Sequence, residues 1–447
     1  MEFRLIGKPY NRGNYSLTRG AFPEKIFMLK THKNHTLSET FFKPIFDLYP
    51  QSDRRYRCHD ISDLDYLMLG IHRCLSQANS GHDFVQQLGD DEVYDLTVSE
   101  FFKALKSKRR LENITSVNTL LSQTVKERIH DPFAEFEELK KWEIYAVDGH
   151  YQKAACHDTP YQNSKGGLTK AAVGHFFRLN LRTHHMSLLD TAESHLTSGK
   201  KKEHDMAIIK RSSADALRYG EPKGKKVMLV WDRACIDYHA WYKMKAQSGV
   251  YFVTIEKDNS TLATQSEDMC DHTDPRNEGI QRDEYVGMAN GVQMRRITYH
   301  NPMDGVVYRF ITNEMYLPPY LIVAFYKHRW DIEKVYYQFK TKFEERKSWA
   351  TSQTAKQAQA TFQCLLHNLS LLIEEKVERE EDLTDEVAQA LQKGRKRKPA
   401  KGFINKIVQR ATHRTLRFIR WLRNSLRSQR SYSQSIARLA TIYQEQM

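Results

Sequence analysis

The sequence contains little cysteine and no long apolar segment. Its six cysteines are scattered singly along 447 residues, and no Cys-x-x-Cys pair occurs. This pattern argues against a disulfide framework and a cysteine-based zinc module, and it predicts a reducing compartment. The longest apolar run, residues 320–326, is much shorter than the roughly 18 residues that a membrane helix needs. Residues 1–4 open no signal peptide, so we expect neither membrane insertion nor secretion.

Acidic residues are almost absent from the end of the chain. The whole sequence has 69 Lys and Arg against 55 Asp and Glu, a net charge of +14. Residues 393–447 hold 15 basic residues and one acid, Glu445, and therefore carry the whole of this excess. Arginines recur there every three or four residues, which predicts an arginine stripe along one helix. These arginines are Arg410, Arg414, Arg417, Arg420, Arg423 and Arg427.

Apolar residues recur on the other side of the same predicted helix, including Ile404, Phe418 and Leu422. The helix could therefore pack by one face and present guanidinium groups to a polyanion on the other. Because almost no acid lies within the segment to pair with these groups, nucleic-acid phosphate is the favoured partner. A solvated surface face is the alternative.

The chain divides by pattern into five parts. Residues 1–140 read mostly as a helical N-terminal domain that could bind DNA ends or brace the rest. Residues 141–258 have a strand, helix, strand rhythm typical of an α/β domain, with apolar strands at 142–148, 226–232 and 249–255. Residues 259–316 form a β-rich insertion with a hairpin turn at Asp304-Gly305. Helices follow over 317–380, and a basic linker and helical tail over 381–447.

Two of the predicted strands end in an acid. Asp148 follows the strand that begins at Trp142, and Asp232 follows the strand that begins at Lys226. A carboxylate at the C-terminal end of a strand points into the crevice where α/β sheets bind ligands. A turn residue or helix cap is the ordinary alternative for either acid.

A third element carries charges of both signs on one face. Tyr326, Arg329, Glu333 and Lys340 are spaced by three, four and seven residues, which places them within a roughly 60° arc of one helix at about 100° per residue. Glu can ligate a hard divalent cation, while Arg and Lys bind phosphate oxygens and Tyr adds a hydrogen bond. An amphipathic surface helix with chance salt pairs is the alternative.

Taken together, these motifs resemble the bacterial insertion-sequence transposases with an Asp-Asp-Glu triad, in the subgroup with a Tyr-x2-Arg-x3-Glu-x6-Lys signature. Tyr326, Arg329, Glu333 and Lys340 match that signature without a gap. Residues 146–150 resemble the first acidic motif of the family, and residues 230–233, followed by Tyr238 and the strand at 249–253, are similar to the second. The resemblance covers about residues 35 to 375.

The resemblance implies an α/β, RNase H-like catalytic core with a β-rich insertion, a helical N-terminal domain and a basic helical tail. In that core Asp148, Asp232 and Glu333 would be catalytic and would hold two Mg²⁺ ions, with Mn²⁺ as a substitute. Tyr326, Arg329 and Lys340 would bind DNA phosphates near the element's end. Some members of the subgroup form a hairpin with a flipped base. Trp330 or Trp349 could stack on such a base, but we expect each of them to belong to the core.

The implied activity is cut-and-paste transposition by a homodimer or higher oligomer acting on double-stranded element ends and target DNA. We expect a location in the bacterial cytoplasm, with the nucleoid. An inactive DNA-binding relative and an RNase H-like nuclease without strand transfer are the alternatives. No nucleotide cofactor is expected, because the glycine spacing at 220–225 departs from a phosphate loop. Four histidines are expected to be core or surface residues, since magnesium prefers oxygen ligands: His150, His175, His184 and His185.

Overall fold

A computed structural model describes most of the chain. The described residues are 36–49, 61–76, 78–90, 94, 96–162, 166–170, 172–192, 205–233, 236–288, 291–341, 343, 345, 347–386, 401–408, 416–428 and 430–444. Arg410 and Arg414 of the predicted stripe lie outside them.

The first five helices are α1 (Leu37–Leu48), α2 (Asp63–Leu75), α3 (Gly81–Asp90), α4 (Val98–Leu105) and α5 (Lys108–Arg128). The helical character predicted for this region is confirmed. α1 begins at a capping box, in which the Thr36 side chain accepts from the Glu39 amide and the Glu39 carboxylate accepts from the Thr36 amide. The apolar positions that indicated the helices face inward, and Phe42, Ile45 and Leu69 are fully buried.

The strands follow in the order β1 (Trp142–Gln152), β2 (Tyr161–Gln162), β3 (Leu168–Thr169), β4 (Val173–Asn180), β5 (Met186–Thr191), β6 (Lys226–Val230), β7 (Val250–Ile255), β8 (Ala263–Thr264), β9 (Ile280–Gly287), β10 (Gln293–His300) and β11 (Val307–Thr312). Between them lie α6 (Asp205–Arg211), α7 (Ala214–Arg218) and α8 (Tyr238–Ser248). Within the described residues, nine strands form one sheet in the order β5-β4-β1-β6-β7-β11-β10-β9-β8. Only the pairs β1 with β6 and β6 with β7 are parallel, so the fold is mixed α/β with a mostly antiparallel sheet.

The predicted strands form the centre of this sheet. β6 is buried from Val227 to Val230, as its continuous apolar run predicts for a strand covered on both faces. The predicted end of β1 is wrong, because the strand continues past Asp148 to Gln152. It does so by pairing with β4 on one side, where Asp148 lies opposite Phe177.

The β-rich insertion extends the same sheet. The predicted hairpin is confirmed as β10 and β11, with Gly305 at the turn in the left-handed region at φ 73°. β11 pairs antiparallel with β7, which joins the insertion to the parallel strands. β9 is missing from the sequence prediction, because its central Arg282, Asp283 and Glu284 suggest a polar turn.

The remaining helices are α9 (Pro319–His328), α10 (Trp330–Thr341), α11 (Gln353–Glu381), α12 (Phe403–Val408), α13 (Leu416–Leu426) and α14 (Tyr432–Gln444). α11 packs against α2, α5 and β5, and its side chains are buried over most of its length. The apolar and charged pattern from Tyr320 to about Lys347 predicts one continuous helix, but the structure has two helices there, α9 and α10. The Arg329 amide donates to the Tyr326 carbonyl at 3.1 Å and the Ile332 amide to the Arg329 carbonyl at 3.3 Å. These bonds span three residues instead of four, so the helix divides at Arg329.

The basic tail packs on the rest of the protein by the apolar face that the sequence predicts. Ile404, Phe418 and Leu422 are buried, and α13 and α14 both contact α1. Within the described part of the chain, no helix combines the length and apolar character needed to cross a lipid bilayer.

Candidate active site

The strand register brings Asp148 and Asp232 to the same edge of the sheet. The last paired residues of the parallel strands β1 and β6 are Ala146 and Val230. Asp148 lies two residues after Ala146, and Asp232 lies two residues after Val230. Side chains two residues apart on an extended backbone point to the same face of a sheet. Past Val230 the backbone stays beside β7, since the Thr254 hydroxyl donates to the Asp232 carbonyl at 2.7 Å. Both carboxylates therefore project from one face of the sheet.

α10 brings Glu333 to this edge through a buried arginine. One Nη of Arg329 lies 3.0 Å from a Glu333 carboxylate oxygen and the other lies 3.9 Å from an oxygen of Asp148. The Arg329 residue is 6 % exposed. Burial alone would lower the pKa of this guanidinium, but Tyr326, Asp148 and Glu333 outweigh burial and raise it. Arg329 thus links the acid of the helix to the acid of the strand.

The electrostatics of Asp148 reflect the convergence of all three acids. Burial is the largest cause that raises the pKa of its carboxyl to about 6, and the neighbouring carboxylates of Asp232 and Glu333 raise it further. Arg329 and the Gly149 amide act in the opposite sense, and that amide donates to Asp148 Oδ1 at 2.9 Å. The three carboxylates therefore act on one another at this edge, and the Arg329 guanidinium contacts two of them.

The four signature residues are only partly brought together. Tyr326 is 7 % exposed, and burial raises the pKa of its phenol while a hydrogen bond to Arg329 opposes the shift. Tyr326, Arg329 and Glu333 form one contiguous group. Lys340 is exposed in the last turn of α10, about 10 Å along the helix axis from Glu333 at 1.5 Å per residue.

A family comparison agrees with this arrangement. The family model described as "Transposase DDE domain" matches residues 143–369, which is half of the chain and includes all three acids. The chain belongs to this transposase DDE family. No curated protein matches it.

The DDE domain has supporting residues that the motifs did not indicate. The Tyr336 hydroxyl donates to the Asp148 carbonyl at 2.8 Å, which fixes the backbone of the first acid from α10. The His150 ring lies 4.7 Å from that of Tyr336, and its Nε2 is 2.5 Å from a Glu345 carboxylate oxygen. His150 is therefore a core residue with a partner, as expected. The one sequence signal for Tyr336 is its position three residues after Glu333, on a neighbouring part of the helix surface.

The two tryptophans near the signature differ in exposure. Trp330 is 56 % exposed beside the site, with the Arg329 guanidinium 5.2 Å from its ring. Trp349 is partly buried against Phe101 and Phe362. A core position is therefore confirmed for Trp349 and wrong for Trp330.

DDE transposases generally use divalent metal ions. The residues present fit such ions, because the donors are carboxylate oxygens and their mutual repulsion shows a need for positive charge. Across the described residues, no group of three His, Cys, Asp or Glu side chains is close enough to form a metal cluster. In the same place Arg329 contacts two of the three acids.

Proposed function

We propose that this chain is the transposase of an insertion sequence in the subgroup with the Tyr-x2-Arg-x3-Glu-x6-Lys signature. It would bind the ends of its element, cut them and join them to target DNA by a cut-and-paste route. The observation that carries the proposal is the placement of Asp148 and Asp232 on one face of the sheet edge, with Glu333 beside them through Arg329.

An RNase H-like catalytic core is part of this proposal. The strand order β5-β4-β1-β6-β7 supports this core. In it β1, β6 and β7 run parallel, β4 is antiparallel to β1, and β5 is antiparallel to β4. The other strands then form an insertion at the edge of β7, and α1–α5 with the tail form the flanking regions. We assign to these flanking regions a share in end recognition and in assembly of the oligomer.

In this proposal Asp148, Asp232 and Glu333 would hold two Mg²⁺ ions, with Mn²⁺ as a substitute. When bound, such ions activate a water or 3′-hydroxyl and stabilise the leaving oxygen. Before metal binds, Arg329 holds Glu333 through its 3.0 Å contact, and Tyr336 fixes the backbone of Asp148. Lys340 is exposed and would bind a phosphate, and the open ring of Trp330 would stack on an unpaired base.

The tail is proposed to bind DNA with only part of the predicted arginine stripe. Arg417 pairs with Asp385, its Nε lying 3.0 Å from Oδ2, and it also donates to the Ile442 carbonyl. Because this acid neutralises Arg417, we leave Arg417 out of the proposed DNA surface. Arg420 is exposed and Arg423 is partly exposed on α13, and Arg427 is exposed directly after that helix. We keep these three residues in the proposed DNA surface.

Replacing Arg420 and Arg427 together with glutamine is expected to weaken DNA binding and flatten its salt dependence. The slope of log affinity against log salt is negative, and each lost phosphate contact reduces its magnitude by about 0.9. Loss of the pair should therefore reduce its magnitude by roughly 2. Fluorescence anisotropy at several salt concentrations measures this slope. Arg417→Gln is the matched control and should reduce stability while leaving the slope unchanged. An unchanged slope in the double variant would exclude these arginines from the interface.

Substitution is preferable to removal of the tail, because Trp421, Leu422 and Leu439 are buried in the shared core. A truncated chain would lose both charge and packing, so its DNA affinity would not separate the two causes.

The proposed activity is tested with linear duplex carrying the DNA that flanks the gene, incubated with Mg²⁺ and a second duplex as target. We expect cleavage at the element boundary and joining of the 3′-hydroxyl product to the target, both absent in Asp148→Ala. Cleavage without joining would indicate a nuclease. Binding at the boundary without cleavage would indicate an inactive DNA-binding relative.

A further inference from the structure

Arg329 is a buried cation that depends on nearby acids to balance its charge. Its guanidinium is buried at the junction of α9 and α10, with the Tyr326 ring at 5.8 Å and the Trp330 ring at 5.2 Å. It contacts Glu333 at 3.0 Å and Asp148 at 3.9 Å. Its Nε is buried and has no hydrogen-bond acceptor among the described atoms. A buried charge is tolerated when it is paired, so these two acids stabilise Arg329 where it lies.

The same carboxylates are the groups that would hold a metal. Arg329 contacts Glu333 and Asp148, and the charges of Asp232 and Glu333 both act on Asp148. A divalent cation bound to Glu333 and Asp148 would lie close to a guanidinium of the same sign, and like charges at such a separation repel strongly where water is scarce. The cation and Arg329 therefore compete for the same oxygens.

We propose that Arg329 is the counter-ion of the acids before the reaction, that a divalent cation displaces it from Glu333 and Asp148, and that a DNA phosphate then accepts it. This inference rests on the proposed function and adds a coupling to it: metal and DNA would each strengthen the binding of the other.

The surroundings of Arg329 suit such an exchange. Guanidinium binds phosphate through two parallel N–H donors, and the Nε–H of Arg329 is one donor without an acceptor among the described atoms. The neighbouring Trp330 is 56 % exposed, and the Glu333 side chain is 34 % exposed, so both reach solvent beside Arg329. Once the guanidinium leaves the carboxylates, its N–H groups are therefore able to bind an anion at the surface next to Glu333.

Metal binding to the full chain without DNA tests the displacement. Free Mn²⁺ is measured by electron paramagnetic resonance for the wild type, Arg329→Gln and Arg329→Lys. We expect Arg329→Gln to bind Mn²⁺ at least about fivefold more tightly than the wild type, the lower end of usual couplings between sites. Arg329→Lys keeps the charge and should stay near the wild type. Equal Mn²⁺ affinity in Arg329→Gln and the wild type would overturn the proposal.

A second measurement tests the coupling to DNA and separates this proposal from the function it rests on. A duplex of the flanking DNA should tighten Mn²⁺ binding to the wild type and have little effect on Arg329→Gln. A similar DNA effect in both proteins would overturn the coupling. Asp232→Asn in either background should abolish Mn²⁺ binding. If neither the wild type nor Arg329→Gln bound Mn²⁺, with or without DNA, the metal site itself and the proposed function would fail instead.

Discussion

Replacing Glu333 with glutamine is expected to abolish metal-dependent DNA cleavage and leave DNA binding nearly unchanged. The amide has almost the same shape and can still accept a hydrogen bond from Arg329, which now lies 3.0 Å from the carboxylate, but it is a poor ligand for a hard cation. Such a cation contributes several kcal/mol to catalysis, and each 1.4 kcal/mol or so is a tenfold change in rate. The cleavage rate should therefore fall by about a thousandfold or more.

Glu137→Gln is the matched control for this prediction, because the Glu137 side chain is 75 % exposed and forms an ion pair with Lys140, which is also on the surface. Its cleavage rate and DNA affinity should equal those of the wild type. The rate is measured under single-turnover conditions on the flanking duplex, and the affinity by anisotropy in EDTA, where the proposed coupling between metal and DNA does not contribute. Normal cleavage by Glu333→Gln would remove Glu333 from the mechanism.

The second large effect is expected for stability, at the buried ion pair between β9 and β10. Arg295 donates to both oxygens of Asp283, at 2.7 and 2.6 Å, and both side chains are at most 4 % exposed. The Arg295 guanidinium also donates to the Leu317 carbonyl at 2.6 Å, two residues before α9 begins. Asp283→Asn leaves that guanidinium buried without its counter-charge, and the free energy of unfolding should fall by about 3 to 5 kcal/mol.

Urea denaturation followed by circular dichroism measures this loss. Asp47→Asn is the matched control, since the Lys43 and Asp47 side chains are more than half exposed at 64 % and 58 % and such surface pairs contribute at most about 1 kcal/mol. Equal losses in the two variants would contradict a stabilising role for the buried pair. Arg295 also holds the segment that leads into α9. In the folded Asp283→Asn protein we therefore expect faster amide hydrogen exchange near Tyr326 than in the wild type.

Sequence patterns predicted the parts of the site whose position depends on local rules. β1 and β6 have apolar runs, and two parallel strands in register necessarily bring Asp148 and Asp232 to one edge. The helical spacing of Tyr326, Arg329 and Glu333 survives the division of the helix, because Arg329 keeps helical dihedral angles at φ −51° and ψ −36°. Periodicity is therefore a good guide wherever backbone geometry alone sets the neighbours.

Features that depend on distant partners could not be predicted in this way. From sequence alone the charged residues of β9 suggest a turn, and only the fold shows that Asp283 forms an ion pair with Arg295 of β10. From sequence alone Arg417 belongs to the predicted arginine stripe, and only the fold shows its contact with Asp385. Likewise, nothing in the sequence around Tyr336 shows that its hydroxyl reaches Asp148, 188 residues earlier in the chain. In each case the partner lies far away in sequence, and only the fold brings the two together.

The contact between the two ends of the described chain has a consequence for biosynthesis. α1 packs against α13 and α14, and Thr36 forms a backbone bridge with Ser431. Ribosomes add residues in order, and segments generally fold as their contacts become available. α1 is the first described helix to be made, whereas α13 and α14, two of its partners, are the last of the described helices. The packing around α1 is therefore completed only after α14 has been made, so a chain that stops before α14 lacks the closed form of this region.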